Sequence, residues 1–476
     1  VAQAKGILPR HGETDVMRDP RSCGYFIAAT LQPTLGRTGV ITCLTDLTRL
    51  VDELVTPAPR HPERRAAAVA VGLGRSFFVR DDGSSRFDGD LQIPAALQAG
   101  SLLPSLPGDR LPGDMLLYVI SPYEAKANAF LSGAAAHPAV GAVQLLRGYQ
   151  RTDQTEPFGY RDGLRNVDPG DRTRVVYVDA DRHFEEPEGA VGGSYMAYLR
   201  ILQNAQSFAV LAPEQQDEII GRRRNGSRLD RPDDGSDPRN EPVDPPATAP
   251  TAHVAKVGPR GGHDDTQIFR RGLPFVETTP DGRLEIGLNF CSFQASLLQL
   301  DVVLNDWALN PAFTAQANDP RGGGVDALLD AARGITTFRQ GGLYFVPPAD
   351  PQRRHLGATL FDERPSRRPP TTGRVAVIKR VVAPTLPGAR FERRGFVFRI
   401  IDANNQPVGA DLTTDSTGRA LSGELPMGQN FTLQEIATPS IPNLQAAQPL
   451  TFTLDVPNKV LHVHNTVSQP GGYGQG

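Results

Sequence analysis

Apolar residues recur along the chain at two spacings, and the change from one to the other marks the elements. Residues 24–31 (Gly-Tyr-Phe-Ile-Ala-Ala-Thr-Leu) form a short apolar run that predicts a strand, and the amphipathic stretch 38–54 after it predicts a helix. A second strand is predicted at 67–74. Beyond a stretch rich in Pro, Gly and Asp, residues 114–120 predict a strand, 123–131 a helix and 139–149 another strand. The order is β-α-β-β-α-β. It recurs further on, with strand-like residues at 193–199, a helix over 207–222 that includes Pro213-Glu214, a strand at 285–292 and a helix at 297–307. Tandem ferredoxin-like units fit this order, each an antiparallel sheet with helices on one face, so the predicted fold class is α+β.

Residues 222–252, rich in Arg, Asp, Pro and Gly, interrupt the second unit and read as a long surface loop, whose length suggests that it covers a site. The texture changes at Arg367-Arg368-Pro369-Pro370. Short strands at 375–379, 396–401, 430–435, 450–456 and 460–465 then alternate with turn signals such as Asp402-Ala403-Asn404-Asn405 and Asp415-Ser416-Thr417-Gly418, which predicts an all-β sandwich. The boundaries that follow are a large domain at 1–366, with halves near 20–160 and 190–350, a linker at 367–372, the sandwich at 373–468 and a flexible tail at 469–476.

Composition narrows what this architecture does. Of 476 residues, 50 are Lys or Arg and 53 Asp or Glu, a formal charge of −3, so no overall positive field draws the chain onto nucleic acid or anionic lipid. No run reaches the ~18 apolar residues of a membrane span, since 129–146 is broken by His137, Pro138 and Gln144. The chain opens Val1-Ala2-Gln3 without an initiator Met or an apolar leader, so a signal peptide is either absent or removed. Cys23, Cys43 and Cys291 form no CxxC pair, which argues against a disulfide scaffold or a zinc site and predicts buried free thiols.

Three separated segments carry candidate chemistry: Glu156-Pro157-Phe158-Gly159-Tyr160-Arg161-Asp162-Gly163, then Ala252-His253-Val254, then Gln267-Ile268-Phe269-Arg270-Arg271-Gly272-Leu273-Pro274-Phe275. Each alone is ordinary: an Asp-Gly turn, a structural histidine, a solvated arginine pair. In this order, with Gly192-Gly193-Ser194-Tyr195, Ile219-Ile220-Gly221-Arg222 and Tyr344-Phe345-Val346-Pro347-Pro348, they resemble the dye-decolourising (DyP-type) haem peroxidases over residues 20–350.

The resemblance implies haem b as cofactor, with hydrogen peroxide oxidising aromatic donors such as dyes and phenolics through a ferryl intermediate. It implies His253 as the iron ligand, with a carboxylate on its other ring nitrogen, Asp330 first and Asp326 second. It makes Asp162 the proton shuttle and Arg270 the cation over the developing oxyanion, with Arg271 a bystander. Gly272 stands where some family members have an Asn. Arg222 matches a propionate anchor, while Arg223 and Arg224 read as solvated; Phe275, Phe290 and Phe293 match apolar positions that wall the haem. Trp307, the only tryptophan, is a candidate electron relay and otherwise packing, and Glu185, Glu186 and Glu188 are a Mn(II) site or, more simply, a solvated turn.

The last hundred residues resemble a pilin-type Cna-B domain of prealbumin-like fold, on 373–379, 409–418, Leu425-Pro426, Phe431-Thr432-Leu433-Gln434-Glu435 and Val463-His464-Asn465. Such domains often form an isopeptide bond, for which Lys379, Asn465 and the assisting Glu435 match. His462 and His464 share a strand face without making a metal site. The resemblance suggests export or a cell-surface setting, with cytoplasmic residence the alternative, and a surface or matrix partner; the peroxidase family suggests a homo-oligomer. The alternatives to a peroxidase are a haem-handling or iron-releasing protein on the same fold and a mainly adhesive surface protein.

Overall fold

The structure, a computed structural model, describes residues 23–56, 67–87, 91–98, 109–111, 113–151, 153–168, 170–233, 235, 248–311, 313, 324–350, 352, 354–362, 371–382 and 391–467. The expected Arg-Arg-Pro-Pro linker at 367–370, the tail at 469–476 and residues 236–247 of the expected covering loop lie outside the described residues.

The first half contributes β1 (Cys23–Leu31), β2 (Ala68–Gly74), β3 (Asp109–Arg110), β4 (Met115–Ser121) and β5 (Val140–Tyr149), with helices Arg37–Val55 and Glu124–Ala135. The second contributes β6 (Ser194–Gln203), β7 (Phe269–Arg270), β8 (Leu273–Thr278), β9 (Leu284–Gln294) and β10 (Thr336–Val346). Within each half the order is that of a ferredoxin-like unit, β5-β1-β4-β2 and β10-β6-β9 with β7 and β8 on the outer side of β9. The two units do not keep separate sheets. They share one, because β2 pairs antiparallel with β10 at Gly74–Tyr344 and Leu73–Phe345. The far edges also approach, since Asn289 Nδ2 on β9 donates to Arg147 O on β5 at 2.8 Å.

Rolling the sheet in this way buries both faces of its strands, which explains why β1 reads as an unbroken apolar run. Tyr25, Ile27, Ala29 and Leu31 pack under the two long helices with Leu44, Leu47, Val69, Val71 and Phe130. Their neighbours Phe26 and Ala28 point the other way, into a second core that joins both halves through Tyr118, Met196, Tyr198, Cys291, Phe293 and Tyr344. Cys43 and Cys291 are buried free thiols, and Cys23 is a half-buried one.

The predicted helix over 207–222 is two, Ala205–Ala209 and Pro213–Ile220, because Pro213 lacks the N–H that a continuous helix needs and takes a first-turn position instead. The predicted helix at 297–307 is an α-turn, Leu297–Asp301, running into a π-helix, Val302–Ala308.

Residues 371–382 and 391–467 form a two-layer β-sandwich. Its strands are β11 (Thr372–Val382), β12 (Val397–Ile401), β13 (Leu412–Thr413), β14 (Arg419–Leu421), β15 (Leu425–Pro426), β16 (Asn430–Ala437), β17 (Leu444–Gln445), β18 (Leu450–Thr453) and β19 (Asn458–Val467). One sheet runs β14-β11-β19-β17 with β15 on β11, the other β13-β12-β16-β18. First and last strands lie side by side and parallel, Val381 opposite Asn465, and Val375, Val377, Phe398, Phe431, Leu433 and Val463 fill the space between layers. Among the described residues no helix is long and apolar enough to cross a membrane.

Candidate active site

A cavity of about 290 Å3 opens on the second half, against the sheet face opposite the shared core. Strand alternation sorts the side chains: Leu199 and Ile201 of β6, Leu288 and Phe290 of β9 and Phe338 of β10 reach the cavity, while Tyr198, Cys291 and Phe293 turn inward. Phe290 thus lines the cavity and Phe293 does not, since residues three apart on a strand face opposite ways. Phe275 is also displaced from that role. It is buried beneath the Arg200 guanidinium, 3.7 Å from its ring centroid, opposite Gly287 in the strand register.

His253, Asp162, Arg270 and Arg222 all line this cavity. His253 opens the short helix His253–Val257, which packs against the Gly221 turn that ends the preceding helix. Gly221 has φ +87°, and a Cβ there would lie 2.4 Å from Val254 Cγ2, so only glycine lets the turn deliver Arg222 to the cavity so close to His253. Arg222 is buried, and its Nη1 donates to Gly226 O at 3.2 Å.

The carboxylate behind His253 is Asp326, the second choice from sequence. Its Oδ2 lies 2.6 Å from His253 Nδ1 and it is fully buried, whereas the imidazole remains one third accessible. His253 lines the cavity, and with Nδ1 engaged the nitrogen left for a ligand is Nε2. Burial pulls the imidazole pKa down, but the charge and hydrogen bond of Asp326 outweigh it, and the net direction is up. Asp330 is elsewhere, capping the turn Ala331–Arg333 through Ala332 N at 3.0 Å and lying 3.7 Å from Arg333. The segment that carries both aspartates is not helical, with a bend at 325 and a turn at 327–329.

Arg270 is placed by β7, paired with Ser292 of β9, and is locked by Asn166, which bonds both its backbone N (3.0 Å) and its O (2.8 Å). Its Nη2 donates to Leu164 O at 2.6 Å. Burial lowers the guanidinium pKa and Asp162 partly restores it, so the two charges sense each other across the cavity. Asp162 is exposed, with Oδ1 accepting from Gly163 N at 2.6 Å. The neighbouring Arg271 is buried, with its guanidinium 5.4 Å from the Phe269 ring centroid, not the solvated partner expected. Arg223 and Arg224 are likewise engaged, Arg223 with the carbonyl of Arg228, Arg224 with Gln216 Oε1 at 2.5 Å.

Glu156 was quoted within its motif but given no role. It lines the cavity, accepting from Phe158 N, Tyr160 N and Gln203 Nε2 at 3.0, 3.1 and 2.8 Å, and burial pushes its pKa up to about 7. Trp307 also reaches the cavity, stacked on Phe313 at 5.5 Å with Arg260 over its ring at 4.4 Å. The acidic trio is neither a metal site nor a solvated turn: Glu186 is buried on Tyr195 Oη at 2.6 Å, Glu185 pairs with Arg419, and only Glu188 is exposed. Among the described residues no cluster of three or more His, Cys, Asp or Glu is disposed to hold a metal ion.

The sandwich holds a second polar site. Lys379, Asn465 and Glu435 sit together in its core, the first two fully buried. Lys379 Nζ meets Glu435 Oε2 at 2.5 Å and contacts Asn465 Oδ1, while Asn465 Nδ2 donates to Glu435 Oε1 at 2.7 Å. Phe396 lies 4.5 Å from the ammonium, and burial lowers the lysine pKa against the opposing effect of Glu435.

Residues 153–351 match the family described as Dyp-type peroxidase, C-terminal. A dye-decolorizing peroxidase of Rhodococcus erythropolis is 26% identical over 251 residues, 51% of this chain and 62% of that protein. A deferrochelatase of Yersinia pestis is 29% identical over 182 residues, 35% of this chain and 39% of that protein. The chain thus spans less than two thirds of the length of either. Among solved structures, DtpA of Streptomyces lividans is similar over 75% of this chain and 99% of its own, with TM-score 0.56 and 21% identity, and a DyP-type peroxidase of Streptomyces coelicolor over 76% and 99%, also with TM-score 0.56. These likenesses give the fold.

Proposed function

We propose, from the match of residues 153–351 to the Dyp-type peroxidases and the geometry of the cavity they form, that this chain is a haem-dependent peroxidase using hydrogen peroxide to oxidise aromatic donors. One observation carries the reading: an imidazole whose Nδ1 is held by a buried carboxylate faces the cavity that Arg270 and Asp162 also line. The donor set fits haem b. His253 offers Nε2 to the iron, the aliphatic and Phe290 walls suit a porphyrin, and Arg222 offers charge to a propionate.

Haem bound there supplies a redox-active iron that reduces peroxide and recovers electrons one at a time from donors. The protein groups handle protons and charge. Asp326 accepts from His253 Nδ1–H, fixing the tautomer and making the ring more electron-donating. Asp162 takes a proton from one oxygen of hydrogen peroxide and returns it to the oxygen that departs as water, and Arg270 stabilises the negative charge between these events.

The test is the visible spectrum of the haem-reconstituted protein before and after one equivalent of peroxide, with His253→Ala alongside. A Soret band that shifts, then recovers with an aromatic donor, supports the reading; haem that bleaches without donor oxidation defeats it. Iron release, as the name deferrochelatase implies for the Yersinia relative, is the second reading. Asp162→Ala and Arg270→Leu separate the two, because they abolish peroxide turnover while leaving haem bound only if the cavity works as a peroxidase.

For the sandwich, which resembles a Cna-B domain, the Lys379, Glu435 and Asn465 triad supports an isopeptide bond. Neutral Lys379 Nζ attacks Asn465 Cγ, the Cγ–Nδ2 bond breaks, and Nδ2 leaves as ammonia with protons relayed by Glu435.

A further inference from the structure

The inner wall of the cavity includes the helical run 297–308, through Leu300, Val303, Leu304, Trp307 and Ala308. Its second part is a π-helix, closed by Leu309 N donating to Leu304 O at 2.9 Å. In an α-helix residue i+5 would be turned about 140° from residue i, but the wider turn brings it back above. Two acids five residues apart, Asp301 and Asp306, therefore face the same way; both are buried, and neither lines the cavity.

Their partner comes from the sandwich. Arg393 is itself buried, and its Nη2 donates to Asp301 Oδ2 and to Asp306 Oδ1, each at 2.8 Å, while its Nε lies 2.5 Å from Asp306 Oδ2. Asn305 Nδ2 secures the other oxygen of Asp301 at 2.8 Å, and Arg380 of β11 lies 3.8 Å from the same residue. The flanking sandwich residues grip the adjoining loop. Arg394 Nη1 donates to Gly262 O at 2.5 Å, and Glu392 stands 3.8 Å from His263 Nε2, whose ring meets Trp307 edge-on at 5.6 Å. Of three consecutive residues, Arg393 thus holds the outer side of the wall whose inner side carries Trp307, and Glu392 and Arg394 hold the loop beside it.

We infer that the sandwich is a working part of the cavity, with Arg393 a positioning residue that clamps Asp301 and Asp306 and thereby sets where the 300–308 wall presents its side chains. A rigid bidentate guanidinium suits this, because it fixes direction as well as charge, which a lysine ammonium does not. The inference takes the cavity to be the cofactor site of the preceding section, but the clamp itself is tested without cofactor.

Trp307 is the only tryptophan in the chain, so its fluorescence reports the wall alone. In the whole 476-residue chain without haem, Arg393→Met is expected to shift Trp307 emission to the red and raise its quenching by acrylamide, with far-UV circular dichroism unchanged and with Arg393→Lys partly restoring both. Wild-type emission and quenching in a folded Arg393→Met protein overturn the inference. If that variant fails to fold, Asp301→Asn/Asp306→Asn/Arg393→Met removes the three charges together and so leaves none buried alone; a shifted Trp307 there supports the clamp, and an unshifted one overturns it. Peroxide turnover by the haem-loaded wild type is measured separately, so failure of the peroxidase reading and failure of the clamp give different patterns.

Discussion

Replacing Glu435 by Ala tests the chemistry of the sandwich most sharply, because one change bears on both mass and stability. In the wild type, Lys379 and Asn465 are 86 residues apart in sequence and touch in the core. A covalent bond between them closes that loop in the unfolded chain too, and the loop-closure relation developed for disulfides gives about 4.6 kcal/mol of stabilisation at this length. Without Glu435 the bond does not form, and Lys379 is left buried without its carboxylate, a further loss of about 3 kcal/mol if it stays charged. For a domain of this size each kcal/mol is worth roughly 4–8 °C, so the sandwich transition is expected to fall by tens of degrees. The assays are intact mass, in which the wild type is expected to be one ammonia lighter than its sequence and the variant to have its full sequence mass, and calorimetry of the full chain. A wild type with full sequence mass would refute the bond. A Glu435→Ala protein still lighter by ammonia would refute the role given to the glutamate.

Two further predictions concern the cavity. Asp326→Asn is expected to weaken haem binding by about tenfold, the low end for loss of a charged partner behind a metal-binding histidine, while Asp330→Asn leaves it unchanged; haem titration distinguishes them, and equal effects would contradict the assignment. Glu156 gives a pH signature. Burial pushes its folded pKa up to about 7, above the 4.5 of an ordinary glutamate, so the stability it permits is fully present below about 4.5 and is lost as pH rises through 7. The loss is on the order of 3 kcal/mol, and Glu156→Gln should flatten that part of the stability–pH curve; identical slopes in the two proteins would show that the carboxyl ionises freely.

The periodic part of the fold was legible. The first β-α-β-β-α-β run and the β-α-β-α part of the second needed only apolar blocks, and β1 was found because both its faces are buried. β10, by contrast, reads Thr-Thr-Phe-Arg-Gln-Gly-Gly-Leu-Tyr-Phe-Val, with polar residues and two glycines where a central strand would be expected to be apolar. Its outward positions reach the cavity and not a core, and that difference hid it. Phe290 and Phe293, both expected beside the haem, part ways on a rule the sequence already supplies, since strand positions three apart cannot share a face. Asp326 over Asp330 was not decidable from sequence. Both acids stand in one short segment, and the choice depends on a bend at 325 and a turn at 327–329 that bring Asp326 inward to His253 and leave Asp330 as a cap.

The longest-range feature was the least legible, for a physical reason. Five residues apart, Asp301 and Asp306 would point about 140° away from each other on an ordinary α-helix and look like two separate solvated acids, and Arg393 looks like one of a surface pair. Nothing local distinguishes them from the charges on any exposed helix. Their meaning appears only when the π-turn aligns the acids and a residue almost ninety positions away, in another domain, meets both. Without the sandwich, the second half of the large domain keeps two acids facing the same way and loses the guanidinium that neutralises both. Sandwich and cavity are therefore joined at the wall beside the site, and truncation after residue 366 should disturb Trp307 as Arg393→Met does.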